Sequence, residues 1–408
     1  MKRRIGACFI GALGSISITS MIGAMAIKKS LADPLGMITS TEPFQRLGLT
    51  PTEDIIFSGF DVRQEKLTQA ADAVVKQFPF IDHRLMDSVR AELKGVEGSV
   101  IDGVDINCGE AIGNLSSKPR EDRDTLRGAC EYLMDAMNRF SSIGQLDDLV
   151  VVNLASTEPP LKLEACHKNI RLMEQAFDQN RRDLFRASSV YAYAAIKSGY
   201  PYINFTPSNG ALFPAMVDLA LEHRVPVMGD DGKTGETLVK SALAPMFRGR
   251  NLQVMSWEGF NILGNMDGKV LDHPENRESK IQTKDALLPQ ILGYAPHSRV
   301  HINYVPSLAD QKTAWDFIHF KGFLGATMSL QFTWQGFDSV LAAPLTLDLI
   351  RLAEFAHRRG EAGLMPQLAS YFKAPLGVDK HGLVDQLALL TDYAAKAIRE
   401  PDLSGWIN

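Results

Sequence analysis

Cysteine is scarce in this chain: four residues in 408, at positions 8, 108, 130 and 166, with no CxxC pair among them. Such scattered thiols do not form a disulfide framework and suit buried, reduced side chains in a cytoplasmic protein. Charge of one sign is lacking as well. A net charge of −5 and a pI near 6.0 leave no overall footprint for nucleic acid, only room for a local basic pocket. There is no low-complexity linker, no tandem repeat and no long charge run, so the two domains expected from 408 residues are intimately joined. Of nine histidines only His297 and His301 stand close together. They lead into the apolar alternation Val300 to Val305, a spacing that suits a strand as well as a metal site. No third ligand is near, and no metal is expected there.

One long uncharged run is present. Ile5 to Ile27 spans 23 residues between Arg4 and Lys28, a length that suits a membrane anchor or an export signal. Eight of those residues are Gly, Ser or Thr, so the run is only weakly hydrophobic. Ile5-Gly6-Ala7-Cys8 mimics a lipoprotein cleavage box, but no apolar core precedes it. The order of residues fits a third reading: a strand from Ile5 to Ile10, a turn Gly11-Ala-Leu-Gly14, and a helix from Ser15 to Leu31. Strand, glycine turn and helix open a dinucleotide site, where the backbone approaches a pyrophosphate at a helix N-terminus. Leu13 and Ser17 stand where the usual fingerprint has glycine. By itself the motif therefore also fits an ordinary buried βα unit.

Apolar runs alternate with helical patterns through most of the chain. Ile55 to Phe57, Leu149 to Leu154, Tyr202 to Phe205 and Val225 to Met228 read as strands; Glu121 to Phe140, Ala165 to Phe177 and Ala211 to Glu222 read as helices. That alternation predicts an α/β fold with a Rossmann-type doubly wound domain. From about Leu252 the texture changes to β-rich runs, Val300 to Val305 and Met328 to Trp334, which predict a second, α+β sheet domain. Helical pattern returns at Asp338 to His357 and Leu383 to Ile398. The expected division is residues 1–228, completed by 340–408, for the nucleotide domain, and 229–339 for a catalytic and oligomerisation domain. Asp61 is a candidate acceptor for an adenosine ribose, although it lies farther from the glycines than the usual ~20 residues; a surface turn accounts for it equally.

The richest region runs from Val227 to Lys284. Gly229-Asp-Asp-Gly-Lys-Thr-Gly-Glu-Thr237 follows a strand and precedes a helix, so its N–H groups and the Thr234 and Thr237 hydroxyls can hold a phosphate. The order of glycines, lysine and hydroxyl is not that of a P-loop, and a structural turn capped by Thr234 fits the same residues. Lys280 and Lys284 share one face if Glu278 to Leu288 is helical. They are either two solvated lysines or a clamp whose repulsion an anion relieves.

The strings GDDGKTGET, SWEGFNILGNMDG, SKIQTK, YVPSLADQK and FDSVLAAPLTLDLI, in this order and behind the opening GALGSIS, resemble the myo-inositol-1-phosphate synthase family over nearly the whole chain. The resemblance implies that Ile5 to Ile27 begins an NAD domain. It also implies that Lys280, Lys284, Lys312 and Lys373, with Asn265 and Asp267, are catalytic. Gly11, Leu13, Gly14, Ser15, Asp61, Ala155, Ser156, Asp231, Asp338 and Ser339 fall to the cofactor, and Thr234, Gly235, Glu236 and Thr237 to the substrate phosphate. Glu236 stands where a neutral glutamine is common, and a carboxylate there must turn away from a phosphate. Residues 107 to 145 match no block of the family.

The implied activity is redox-neutral cyclisation of D-glucose 6-phosphate to 1D-myo-inositol 3-phosphate: oxidation at C5 by NAD, enolisation, intramolecular aldol closure, and reduction. Each intermediate is an oxyanion or enolate beside a phosphate, which asks for converging positive groups. The expectation includes NAD as cofactor, an activating cation of unspecified identity, a cytoplasmic homotetramer, and no nucleic-acid or membrane partner. Two other readings remain: a dehydrogenase of a sugar or polyol phosphate that releases NADH, and a non-catalytic relative.

Overall fold

The computed structural model describes residues 3–116, 124–264, 268 and 287–400. Strand β1 (Ile5–Ile10) is buried along its whole length, as its unbroken apolar run requires of a central parallel strand. Gly11, at φ +81°, turns the chain into helix α1 (Ser15–Lys28). The hydroxyls that dilute the hydrophobicity of this stretch are satisfied inside it. Ser17 donates to the Gly11 carbonyl at 2.8 Å, Thr19 to Ser15 at 2.7 Å and Ser20 to Ile16 at 2.8 Å, so these residues bury without orphaned polar atoms.

The strand and helix pattern continues through β2 (Ile55–Asp61), α2 (Leu67–Val75), α3 (His83–Glu97), β3 (Val100–Asp102), α4 (Glu110–Gly113), α5 (Leu126–Gly144), β4 (Asp148–Asn153), α6 (Ile170–Asp178), α7 (Ala187–Lys197), β5 (Tyr202–Asn204), α8 (Pro214–Glu222) and β6 (Pro226–Met228). Helices α1 and α8 are each three residues shorter than the sequence expectation, residues 121–123 of a third lie outside the described residues, and two helices differ more. The one predicted over Glu121 to Phe140 starts at Leu126, where Thr125 accepts the Gly128 N–H at 3.0 Å, and it runs on to Gly144. The one predicted over Ala165 to Phe177 is divided at Asn169, whose side chain caps α6 by accepting from Leu172 N at 3.1 Å. A competing side-chain acceptor explains both boundaries.

These six strands and β11 (Gly363–Leu364) form one parallel sheet in the order β11-β6-β5-β4-β1-β2-β3. Apolar layers cover both faces. One includes Ile18, Met21, Ala70 and Val89; the other includes Leu133, Val190, Tyr193 and Leu219. The strand order reverses between β1 and β4, and a crevice opens at their carboxyl ends.

After β6 come α9 (Gly235–Gly249), β7 (Gln253–Leu263), α10 (Leu287–Leu292), β8 (His297–Tyr304), β9 (Gln311–Lys321) and β10 (Thr327–Phe337). The four strands pair in the order β10-β9-β7-β8, antiparallel except for β7 with β8. Phe247 and Ala244 of α9 pack with Trp257, Ile318 and the leucines of α10 to form a separate core. His297 and His301 lie on β8, where both rings meet Glu258 of β7, at 2.9 and 3.3 Å, and His301 stacks on Phe260.

Helix α11 (Asp338–Arg358) leaves the end of β10 and returns the chain to the first sheet, where its residues share a core with α1. Helix α12 (Leu383–Arg399) joins the same layer through Leu390 and Ala394. Asp338 and Ser339 thus stand at the seam between the two sheets. Among the described residues no helix is long and apolar enough to cross a membrane. All four cysteines are free and buried, and burial pushes the Cys8 and Cys108 thiols up to about 12.

Candidate active site

Two adjoining clefts occupy the crevice at the switch point. The first is lined by Gly11, Leu13, Gly14, Ser15, Asp61, Ala155 and Ser156, among others. Its walls come from the turns after β1, β2 and β4 and from α2 and α7. Gly11 is required here twice over: its φ is positive, and a Cβ on it would lie 2.9 Å from the Ala155 Cα. The turns after β1 and β4 therefore touch through bare backbone. No side chain caps α1 at Gly14, which leaves its first-turn N–H groups for an anion.

Both departures from the usual glycines have a physical account. Leu13 is 2% exposed, with its side chain in the core, and its N–H donates to Asp61 Oδ2 at 2.9 Å. Ser17 lies under the turn and binds it through Gly11. Asp61 closes β2, the neighbour of β1, and also accepts the Arg63 N–H at 2.9 Å. The residues fit a dinucleotide: an uncapped helix start for the pyrophosphate and a carboxylate at the end of the next strand for a ribose.

The second cleft shares Gly14, Ser15, Ala155 and Ser156 with the first. Asp231, Thr234, Asp338, Ser339 and Lys373 line it. The Lys373 ammonium donates to Asp231 Oδ1 at 2.7 Å, and Lys312 donates to Asp338 Oδ2 at 3.1 Å. Thr234 Oγ1 donates to Asp338 Oδ1, also at 3.1 Å. Lys373 is brought in by a backbone ladder along the 230–234 loop: Lys373 N donates to Asp231 O at 2.7 Å, and Lys233 N to Tyr371 O at 2.8 Å. Asp231 sits at φ +63°, a left-handed conformation that aspartate tolerates better than most residues.

Thr234 stands at the N-cap of α9, but its hydroxyl goes to Asp338 rather than to the helix. The α9 start, Gly235 to Thr237, is thereby left without a side-chain cap, as the α1 start is, and its residues are buried. Glu236 turns away from the loop. Its carboxylate meets the Lys240 ammonium at 2.6 Å, and Lys240 lies 3.7 Å from Asp316, which accepts Trp257 Nε1 at 2.7 Å. Glu236, Lys240 and Asp316 are all buried. Lys280, Lys284, Asn265 and Asp267 lie outside the described residues.

Sequence reasoning passed over two groups. Asp310 is buried in the second cleft and accepts the Ser339 hydroxyl at 2.5 Å; its place two residues before Lys312, in the turn that leads into the same strand, was the available signal. Glu158 lies in the first cleft, and its carboxylate accepts both Ser188 N, at 2.9 Å, and the Ser188 hydroxyl. Burial pushes Glu158 up to about 7 against the pull of these bonds.

Burial likewise pushes Asp230 up to about 8 and Asp348 up to about 6. Raised folded-state values mean that the folded chain binds more protons than the unfolded one between about pH 4 and pH 8, so these groups stabilise at low pH and the benefit is lost as pH rises. Thermal midpoints are expected to fall from about pH 5 to pH 8, and Asp230→Asn, which retains an acceptor for Asn204, should flatten that slope. Unchanged slopes in a melting series would contradict the assignment.

A doubly wound sheet with an uncapped glycine turn at its switch point defines a dinucleotide-binding protein, here with a charged second cleft against the first. The chain belongs to the myo-inositol-1-phosphate synthase family, whose model matches residues 5–394. It is 31% identical over 398 residues to inositol-3-phosphate synthase 1 of Bacteroides thetaiotaomicron, covering 93% of this chain and 91% of that one. The inositol-3-phosphate synthase of Dictyostelium discoideum is 31% identical over 75% of this chain and 60% of its own. Among solved structures, a myo-inositol-1-phosphate synthase-related protein from Thermotoga maritima aligns with TM-score 0.80 at 26% identity, over 96% of this chain and 99% of that one. The inositol-3-phosphate synthase of Caenorhabditis elegans shares the fold, with TM-score 0.87 at 24% identity over 98% and 86%.

Proposed function

We propose that the protein is an inositol-3-phosphate synthase that converts D-glucose 6-phosphate to 1D-myo-inositol 3-phosphate with no net redox change. The observation that carries this reading is the pair of adjoining clefts, one fitted to a dinucleotide and one lined by Asp231, Thr234, Asp338 and Lys373, with Lys312 bonded to Asp338. Bound in the first cleft, NAD supplies reversible hydride acceptance at C5.

The remaining work falls to the chain. Gly235, Glu236 and Thr237 offer backbone N–H groups, and Thr237 a hydroxyl, to the substrate phosphate. Lys312 and Lys373 face oxyanions that develop on enolisation and ring closure, and move protons between carbon and oxygen. Their carboxylate partners hold them in place until substrate arrives. An anionic sugar phosphate calls for further cations, the role proposed for Lys280 and Lys284. Asn265 and Asp267 complete the proposed catalytic set. Gly11, Leu13, Gly14, Ser15, Asp61, Ala155, Ser156, Asp231, Asp338 and Ser339 are proposed to surround the cofactor. A homotetramer joined through the second sheet is supported by Phe260 and Trp315, which stack on its outer face with more than a third of their surface exposed.

Thr237→Ala removes one donor from the phosphate end and should weaken sugar-phosphate binding several-fold while NAD affinity stays constant, by ~1 kcal/mol for a lost hydrogen bond. Titration calorimetry with each ligand decides this; equal loss of both contradicts the assignment. Substrate deuterated at C5 tests the reaction itself: the label should return to the same carbon of the product. A dehydrogenase would leave it on released NADH.

A further inference from the structure

Lys233 lies inside the loop proposed to hold the phosphate, yet none of the roles above uses it. It is 2% exposed. Among the described residues its ammonium has one hydrogen bond, to the neutral amide oxygen of Gln386 on α12, and no ion pair. Gln386 is itself fully buried and is held by its own N–H bond to the Lys380 carbonyl at 2.8 Å. The lysine is therefore fixed in place without a counter-ion. A buried ammonium so placed is costly, and burial together with the nearby Lys373 ammonium pushes it down to about 7.

Among the described residues the charged groups around Lys233 form no ion pair with it. From its own loop, Asp231 pairs with Lys373, and Asp230, pushed up by burial, holds its proton at neutral pH. From the segment before α12, His381 is pushed down by burial and by Lys233 itself, with Asp379 opposing. From α9, Glu236 and Lys240 pair with each other. The next four residues, Thr234 to Thr237, are the ones proposed above to hold the substrate phosphate.

We propose that Lys233 is a positioning residue that takes a proton from solvent to its Nζ when the phosphate end of the substrate binds, and so becomes the buried counter-charge behind the loop. This rests on the phosphate-loop reading above. A dianion nearby favours the charged ammonium, so binding and protonation are linked. Below the lysine's own titration the charge is already present and affinity is full. Above it, each bound phosphate must bring in a proton, and affinity falls by up to about tenfold per pH unit.

The test uses the NAD-loaded full-length protein and inorganic phosphate as probe, titrated calorimetrically at about pH 7.5 and 8.5 in two buffers of different ionisation enthalpy. Wild type should take up close to one proton per site at the higher pH and lose roughly five- to tenfold in affinity between the two. Lys233→Met should abolish both effects. Gln386→Glu keeps the lysine but gives it a permanent carboxylate, which holds it charged and should abolish them too; this second variant covers the case in which the first fails to fold. Proton uptake and slope that persist in either folded variant, or are absent from wild type, overturn the proposal. Glucose 6-phosphate turnover measured alongside separates the readings: turnover without lysine-dependent uptake sinks only the role of Lys233, whereas neither turnover nor phosphate binding sinks the functional reading with it.

Discussion

Lys312→Met and Lys373→Met should each lower turnover of glucose 6-phosphate by about two to three orders of magnitude while NAD binding persists. Removing a preorganised positive group that faces a developing oxyanion costs ~3–4 kcal/mol in the barrier, and each 1.36 kcal/mol is tenfold in rate. The effect on folding is smaller. Asp338 is one-fifth exposed and keeps its bond from Thr234, so loss of Lys312 does not strand it. Lys373 is held by backbone as well as by its ammonium, and the ladder through Asp231 O and Ala374 O survives the substitution. Steady-state kinetics and cofactor titration on each variant check this. A change confined to KM, with kcat intact, would place the lysines in substrate binding only.

Deleting residues 1–30 should abolish folding. The deletion removes β1, which pairs with both β2 and β4 at the centre of the parallel sheet, together with the helix that covers it. Ile5, Phe9, Ile10, Ile18, Met21 and Ile22 are each at most 3% exposed. At ~1.5–3 kcal/mol apiece, their burial alone rivals the whole net stability of a domain, about 5–15 kcal/mol. Soluble expression and circular dichroism report the outcome. Recovery of a soluble, NAD-binding truncated chain, or isolation of mature protein lacking these residues, would show that the segment is a removable signal.

The doubly wound order could be read from the alternation of apolar runs with helical periods, because each strand buried on both faces must be continuously apolar. The long distance from the glycines to Asp61 has a structural cause. Three short turns, Ile38–Ser40, Phe44–Leu47 and Thr52–Asp54, lie between α1 and β2 and lengthen the usual spacing. They are held by α11: Asp348 accepts Ile38 N at 2.7 Å, and Arg351 donates to the Thr50 carbonyl at 2.8 Å. Contacts across some 300 positions leave no local trace, so the insertion could not be read from the sequence.

Glu236 is the opposite case. Lys240 follows it by one helical turn, and that i,i+4 spacing is enough to predict that the carboxylate turns along α9 and away from the loop. Lys233 was illegible because its burial depends on Gln386, which comes from the far end of the chain. Asp310 was less legible: it stands in the turn just before the strand that carries Lys312, where no alternation fixes its side.

Product analysis tests the central claim most directly. NAD-loaded protein is incubated with glucose 6-phosphate, phosphorus NMR follows the phosphate monoesters, and absorbance follows NADH in the same sample. The account predicts that glucose 6-phosphate is replaced by an inositol monophosphate, that the reaction stops when NAD is withheld, and that no NADH accumulates. NADH rising in proportion to substrate consumed, or no conversion by cofactor-loaded protein, would contradict it.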